Sequence, residues 1–179
     1  METRLTTDQK IPGSTPGRLE IYFFLFQQQT QNILFLPFLM TSSISPEKLA
    51  DLLIDTPARV AVVDLSDWTT ASFSPSTGSG KTIVGSMAGP GTVDGFRACV
   101  DDMLDRLSGA SASYDTVVFV CQRGQTRSPA CASLFCTRAS ERGKEGAFSG
   151  GVFYLRGGLD KFVTEFGYDR RLVYNNNSF

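Results

Sequence analysis

Two nearly unbroken β-branched runs constrain this chain most. Arg59–Leu65 reads Arg-Val-Ala-Val-Val-Asp-Leu, and Thr116–Val120 reads Thr-Val-Val-Phe-Val. Neither alternates apolar with polar residues, which marks strands buried on both faces, as in a parallel sheet. Segments of helical period lie before, between and after them. Ser45-Pro46-Glu47-Lys48-Leu49 is a helix start, with Ser at the N-cap, Pro at the first helical position and an acid in the first turn. Leu49, Leu52 and Leu53 give that helix a face, and Pro57 follows its end. Phe96, Val100, Met103, Leu104 and Leu107 form one stripe over Asp94–Leu107. Further helices are expected from about Ser128 to Arg142 and over Leu159–Phe166. The last follows a strand at Val152–Leu155 and a Gly157-Gly158 turn. Ile83–Met87 reads as one short strand that Gly89-Pro90-Gly91 breaks. Residues 66–82 and Gly143–Gly151 read as loops. Strands alternating with helices predict an α/β domain, a central parallel sheet with helices on both faces.

At 179 residues the chain has room for one domain of ordinary size. Residues 1–42 read as an N-terminal extension of unassigned role, 43–174 as the catalytic domain, and 175–179 as a frayed tail. The extension is polar through residue 18 and then carries two short apolar runs, Ile21–Phe26 and Ile33–Met40. Neither approaches the ~18 apolar residues of a membrane span. The first is also too short, and too far from Met1, for a signal peptide. The sheet and its covering helices are expected to be complete from Ser45 onward.

Composition excludes several chemistries. Lys+Arg is 17 and Asp+Glu 18, a net charge of −1, so neither nucleic acid nor a membrane surface is an expected partner. There is no histidine, which removes His-based triads, His general bases and most zinc sites. The four cysteines (Cys99, Cys121, Cys131, Cys136) form no Cys-x-x-Cys pair and suit neither a disulfide scaffold nor a metal centre. A reducing compartment, cytoplasmic and/or nuclear, is the expectation, and cysteine chemistry there is thiolate chemistry. Ser79-Gly80-Lys81-Thr82 resembles the end of a nucleotide-binding loop, but Pro75 stands where that loop needs glycine, and no apolar strand leads into it. No cofactor is expected.

The chemistry is carried by Val117-Val118-Phe119-Val120-Cys121-Gln122-Arg123-Gly124-Gln125-Thr126-Arg127-Ser128-Pro129. A buried strand delivers a cysteine at its C-terminal end, a short loop follows, and Arg127 opens a helix. Ligands of open α/β sheets bind at the carboxyl ends of strands. Successive N–H groups of such a loop converge on an anion, and the helix N-terminus adds positive potential. Gly124 permits the sharp turn. Arg127 offers a planar fork to two oxygens. The same field favours a thiolate nucleophile at Cys121. Ser128 is placed to donate to the leaving thiolate. Cys99, Cys131 and Cys136 lack this setting and read as small core residues on helices.

Cys121-x-x-Gly124-x-x-Arg127-Ser128 resembles the phosphate-binding loop of cysteine-dependent protein phosphatases. Its surroundings resemble the rhodanese-fold members of that group, the M-phase inducer dual-specificity phosphatases and the related eukaryotic arsenate reductases. Ser45–Leu53 resembles their opening helix, Val60–Asp64 their first strand, and Val152–Phe162 their closing strand, double-glycine turn and helix. The resemblance spans residues 43–173. It implies a rhodanese-like domain that hydrolyses phosphotyrosine or phosphothreonine esters of a phosphoprotein through a phosphocysteine intermediate. Cys121 and Arg127 are then catalytic, and Gln122, Arg123, Gly124, Gln125, Thr126 and Ser128 bind substrate. Arsenate reduction, with glutathione as partner, is the nearest alternative. Sulfur transfer is another, although sulfurtransferase loops are usually one residue shorter, and a catalytically silent binding module is the last.

The chain departs from that group at three places. Val120 stands where the phosphatases have histidine, positions 122–126 hold no acid, and Lys81–Ser86 replaces their usual Gly-His-Ile-x-Gly-Ala. Asp64, Asp67 and Asp94 lie near strand ends, but none is assigned as general acid. Asp64 reads as a buried structural carboxylate.

Overall fold

The computed structural model describes residues 40–66, 80–109, 111–112 and 114–175. Most of the N-terminal extension, Asp67, Pro75, Ser79 and the tail beyond Asn175 lie outside the described residues. In chain order the elements are β1 (Thr41–Ile44), α1 (Pro46–Asp55), β2 (Val60–Asp64), β3 (Lys81–Ile83), β4 (Met87–Ala88), α2 (Val93–Ser108), β5 (Thr116–Val120), α3 (Arg127–Glu141), β6 (Gly151–Leu155), α4 (Gly158–Phe166) and β7 (Val173–Asn175). Single 3-10 turns occupy Pro57–Arg59 and Glu145–Phe148.

Five strands form one sheet in the order β1-β6-β5-β2-β4, and every pairing in it is parallel. β2 and β5 are buried along their whole length. Alternation of side chains across a strand explains why both need unbroken apolar sequence. Ala61, Val63, Leu65, Val117 and Phe119 face a core closed by Phe96, Val100 and Leu104 of α2 and by Cys131, Ala132 and Phe135 of α3. Val60, Val62, Val118 and Val120 face the other core, closed by Leu49 and Ala50 of α1 and by Leu159 and Phe162 of α4. Helices therefore cover both faces, as expected.

The aromatic ladder Phe96–Phe119–Phe135–Phe148 has successive ring centroids 5.1 to 5.4 Å apart. Such pairs add about 0.5–1.5 kcal/mol each beyond area burial. The ladder fixes α2 and α3 against the end of β5, where Cys121 follows. The first helix start is built as read, and the second is capped by Thr92, one residue ahead of Val93. Ser45 Oγ accepts from Lys48 N at 3.3 Å, and Thr92 Oγ1 accepts from Gly95 N at 3.0 Å.

Four expectations are corrected. The sheet is not complete from Ser45, because Thr41–Ile44 forms its edge strand beside β6. The segment is short and polar on the exposed edge, so it carries no apolar signature. Ile83–Met87 is not one strand. Lys81–Ile83 pairs antiparallel with β7 in a separate two-stranded ribbon, whereas Met87–Ala88 joins the main sheet beside β2. A turn at Val84–Gly85, with Gly85 at φ +75°, separates them. Val173–Asn175, read partly as tail, is the partner strand of that ribbon. Gly143–Gly151 also holds more than a loop, since Phe148 of its 3-10 turn is buried in the core.

Candidate active site

After β2 the chain turns outward to β4, and after β5 it turns the other way to β6. Connections that diverge in this manner leave a crevice at the carboxyl ends of the two strands. Leu65 and Cys121 stand at its floor, where Leu65 N donates to Val120 O at 2.7 Å. Ser128 Oγ lies 3.2 Å from Cys121 Sγ, and its residue is wholly buried on the first turn of α3.

The loop between Cys121 and Arg127 is held from behind by α4. Leu159 N donates to Cys121 O and Asp160 N to Gln122 O, each at 3.0 Å. The peptides of this loop are trans, so each of these carbonyls points opposite to the N–H of its own peptide unit. The N–H groups of Gln122 and Arg123 are thereby turned away from α4, toward the crevice side. Among the described residues, the N–H groups of Arg123, Gly124, Gln125 and Thr126 donate to no protein acceptor. Gly124 has φ +66° and is pressed so closely on the β6–α4 turn that a Cβ there would lie 2.2 Å from Leu155 O. Gly158, at φ +65°, meets the loop from the other side, its Cβ position 2.4 Å from Cys121 O. Only glycine fits either place.

Arg127 Nη1 donates to Leu65 O at 3.0 Å and to Gly91 O at 2.8 Å. The guanidinium thus spans the crevice from α3 to the ends of β2 and β4. Its Nη1 hydrogens are engaged, while the Nε and Nη2 edge makes no hydrogen bond among the described residues. The other cysteines are held as thiols. Burial, and then the neighbouring Cys121, push Cys131 up to about 12, and burial pushes Cys136 up to about 11. Burial and then Asp102 also raise Cys99. All three sit on α2 or α3, as the sequence implied.

Of the expected site residues, Cys121, Gly124 and Ser128 are buried, Gln122 and Arg127 half-buried, and Arg123, Gln125 and Thr126 exposed. The Gln122 amide is turned to Asp160, with Nε2 donating to Oδ1. Val120, where the resembled phosphatases have histidine, packs in the apolar core under α1 and α4. Asp64 is the expected structural carboxylate, accepting from Ser66 N at 2.8 Å and Thr82 Oγ1 at 3.1 Å. Asp94 lies in the first turn of α2. Sequence reasoning missed Asp160, the clamp between Gly124 and Gly158, and the two carbonyls that hold Arg127. The double glycine was the one available signal, and it read only as a turn.

No protein-family model matches the chain, and no curated protein matches it. Solved structures do. An As–Sb reductase from Leishmania major superposes with a TM-score of 0.52 at 24% identity, over 73% of this chain and 81% of its own. A protein from Saccharomyces cerevisiae, described as a homologue of single-domain rhodanese and of the Cdc25 phosphatase catalytic domain, superposes with a TM-score of 0.52 at 17% identity. That match covers 74% of this chain and 86% of the yeast one. A second structure of the yeast protein, described as a tyrosine phosphatase of the rhodanese family, gives a TM-score of 0.51. The domain has the rhodanese fold. These rhodanese-like neighbours are of the kind that the Cys121–Ser128 loop resembles, and at such identities the likeness speaks to fold. Among the described residues, no helix of the rhodanese-like domain is long and apolar enough to cross a membrane.

Proposed function

We propose that this rhodanese-like domain is a cysteine-dependent phosphatase that hydrolyses phosphotyrosine or phosphothreonine esters on protein. The observation that carries the reading is the loop itself. Its outward carbonyls are tied to α4, its next N–H groups have no protein acceptor among the described residues, and a cysteine and an arginine stand at its two ends. In this reading Cys121 Sγ attacks phosphorus in line, forming the S–P bond as the ester P–O bond breaks. The loop amides and the Nε and Nη2 edge of Arg127 stabilise the three equatorial oxygens. Water then attacks phosphorus and releases phosphate, and Ser128 donates to the departing thiolate across the 3.2 Å contact. The chemistry calls for no metal or organic cofactor.

Arsenate reduction is the second reading, favoured by the Leishmania neighbour. The same cradle would bind arsenate, and a thiol such as glutathione would supply the reducing electrons. One experiment separates the readings. Purified protein is offered an aryl phosphate, arsenate with glutathione, and thiosulfate with cyanide, each with and without vanadate. Vanadate-sensitive release of the aryl alcohol is expected. Arg127→Lys should weaken vanadate inhibition roughly 30- to 1,000-fold, because a point ammonium cannot replace a planar fork. Efficient thiosulfate-to-cyanide transfer that ignores vanadate would replace the phosphatase with a sulfurtransferase. Inactivity in every arm would leave a binding module.

A further inference from the structure

Helix α4 starts on Gly157, which offers no side-chain cap. The first N–H groups of a helix need acceptors from elsewhere. Those of Leu159 and Asp160 find the carbonyls of Cys121 and Gln122. Asp160 does more than this. Its carboxylate also accepts from the side-chain amide of Gln122. Backbone and side chain of one residue therefore grip backbone and side chain of another, at the first position after the nucleophile.

The consequence concerns the peptide between Gln122 and Arg123. With the Gln122 carbonyl held by α4, the Arg123 N–H faces away from the helix. Were that peptide to rotate, a carbonyl oxygen would replace an N–H on the crevice side, and an anion there would meet a negative dipole. The Asp160 N–H holds the Gln122 carbonyl against that rotation, and the Asp160 carboxylate anchors the Gln122 side chain and with it the Cα about which the peptide would turn. The loop at 122–126 contains no carboxylate of its own, and the Asp64 carboxylate is engaged with Ser66 and Thr82. We infer that Asp160 is a positioning residue for the Cys121 loop, holding Gln122 so that the loop amides converge on a tetrahedral oxyanion. The inference rests on the phosphatase reading for what the loop binds, though not for how the loop is held.

Two variants separate grip from charge. Asp160→Asn keeps an oxygen acceptor for Gln122 and removes the charge, whereas Asp160→Ala removes both. In the full chain, Asp160→Ala should raise the vanadate inhibition constant and lower kcat/KM for an aryl phosphate by about tenfold each, as expected for one displaced donor. Asp160→Asn should stay within about threefold of wild type with an unchanged pH profile. Hydrogen exchange at the Leu159 and Asp160 amides, which donate to the loop carbonyls, should accelerate relative to their intrinsic rates in Asp160→Ala and not in Asp160→Asn. Should Asp160→Ala fail to fold, Gln122→Ala cuts the same side-chain contact from the loop side and should give the same pattern. If Asp160→Asn is as impaired as Asp160→Ala, a charge or a proton is what matters, and positioning is refuted. If Asp160→Ala matches wild type in exchange and vanadate binding, the contact to Gln122 does not position the loop, and the inference is refuted. A wild type that neither binds vanadate nor cleaves the ester overturns the phosphatase reading alone, and the exchange measurement still decides the grip.

Discussion

Gly124 and Gly143 adopt nearly the same backbone, φ +66° and +61°, in different surroundings. A Cβ on Gly143 has nothing within 4 Å. A Cβ on Gly124 would sit 2.2 Å from Leu155 O and 2.7 Å from Gly158 N. Alanine at either position takes on left-handed strain of roughly 1–2 kcal/mol. Gly124→Ala must in addition part the loop from the β6–α4 turn by about 1 Å to reach an ordinary contact distance. A gap of that size breaks the bonds from Leu159 N to Cys121 O and from Asp160 N to Gln122 O, at about 0.5–1.5 kcal/mol each. Gly124→Ala should therefore be less stable than Gly143→Ala by about 1–3 kcal/mol, read from urea midpoints at equal slope. The same displacement moves the loop amides relative to Cys121. An error of ~1 Å in such a site can lower kcat/KM for an aryl phosphate about 100-fold, while Gly143→Ala should leave it near wild type. Equal stability of the two variants, with equal vanadate affinity, would refute the close approach between loop and turn and with it the account of how α4 shapes the site.

The remaining expectations concern the thiols and the sheet edge. Iodoacetamide at pH 7 should label Cys121 first, with Cys131 and Cys136 reacting only as the protein unfolds, because burial holds them up at about 12 and 11; peptide mass spectrometry showing either at the Cys121 rate sinks the site assignment. A thiol raised in the folded state above its ordinary 9.0 stabilises the fold fully below that pH, and its contribution is lost as pH climbs from about 9 toward 12. Wild type should therefore lose on the order of 1 kcal/mol per pH unit more than Cys131→Ala over that window, measured by urea unfolding at pH 8 and pH 10. A truncation beginning at Ser45 should be less stable than one beginning at Met40 by at least about 1.5–3 kcal/mol, the burial of Ile44 alone; equal thermal midpoints would mean that β1 contributes nothing to the sheet.

Sequence alone determined the elements whose cause is local. Val60–Asp64 and Thr116–Val120 read as strands covered on both sides. The stripe from Phe96 to Leu107 read as an amphipathic helix, and Ser45 read as the cap of the helix that it starts. The loop from Cys121 to Ser128 was legible for the same reason, since cysteine, glycine and arginine lie within one short stretch. What the tertiary structure decided depends on residues far apart in the chain. Thr41–Ile44 is a strand only because β6 offers it an edge, and Val173–Asn175 only because Lys81–Ile83 does. Arg127 is held by carbonyls of Leu65 and Gly91, and main-chain carbonyls carry no sequence signature. Asp160 reaches Gln122 across 38 positions, because a parallel sheet brings the carboxyl ends of neighbouring strands together. Local sequence specifies how a segment bends and which face it buries, whereas a convergent site is set by which strand ends the sheet makes neighbours.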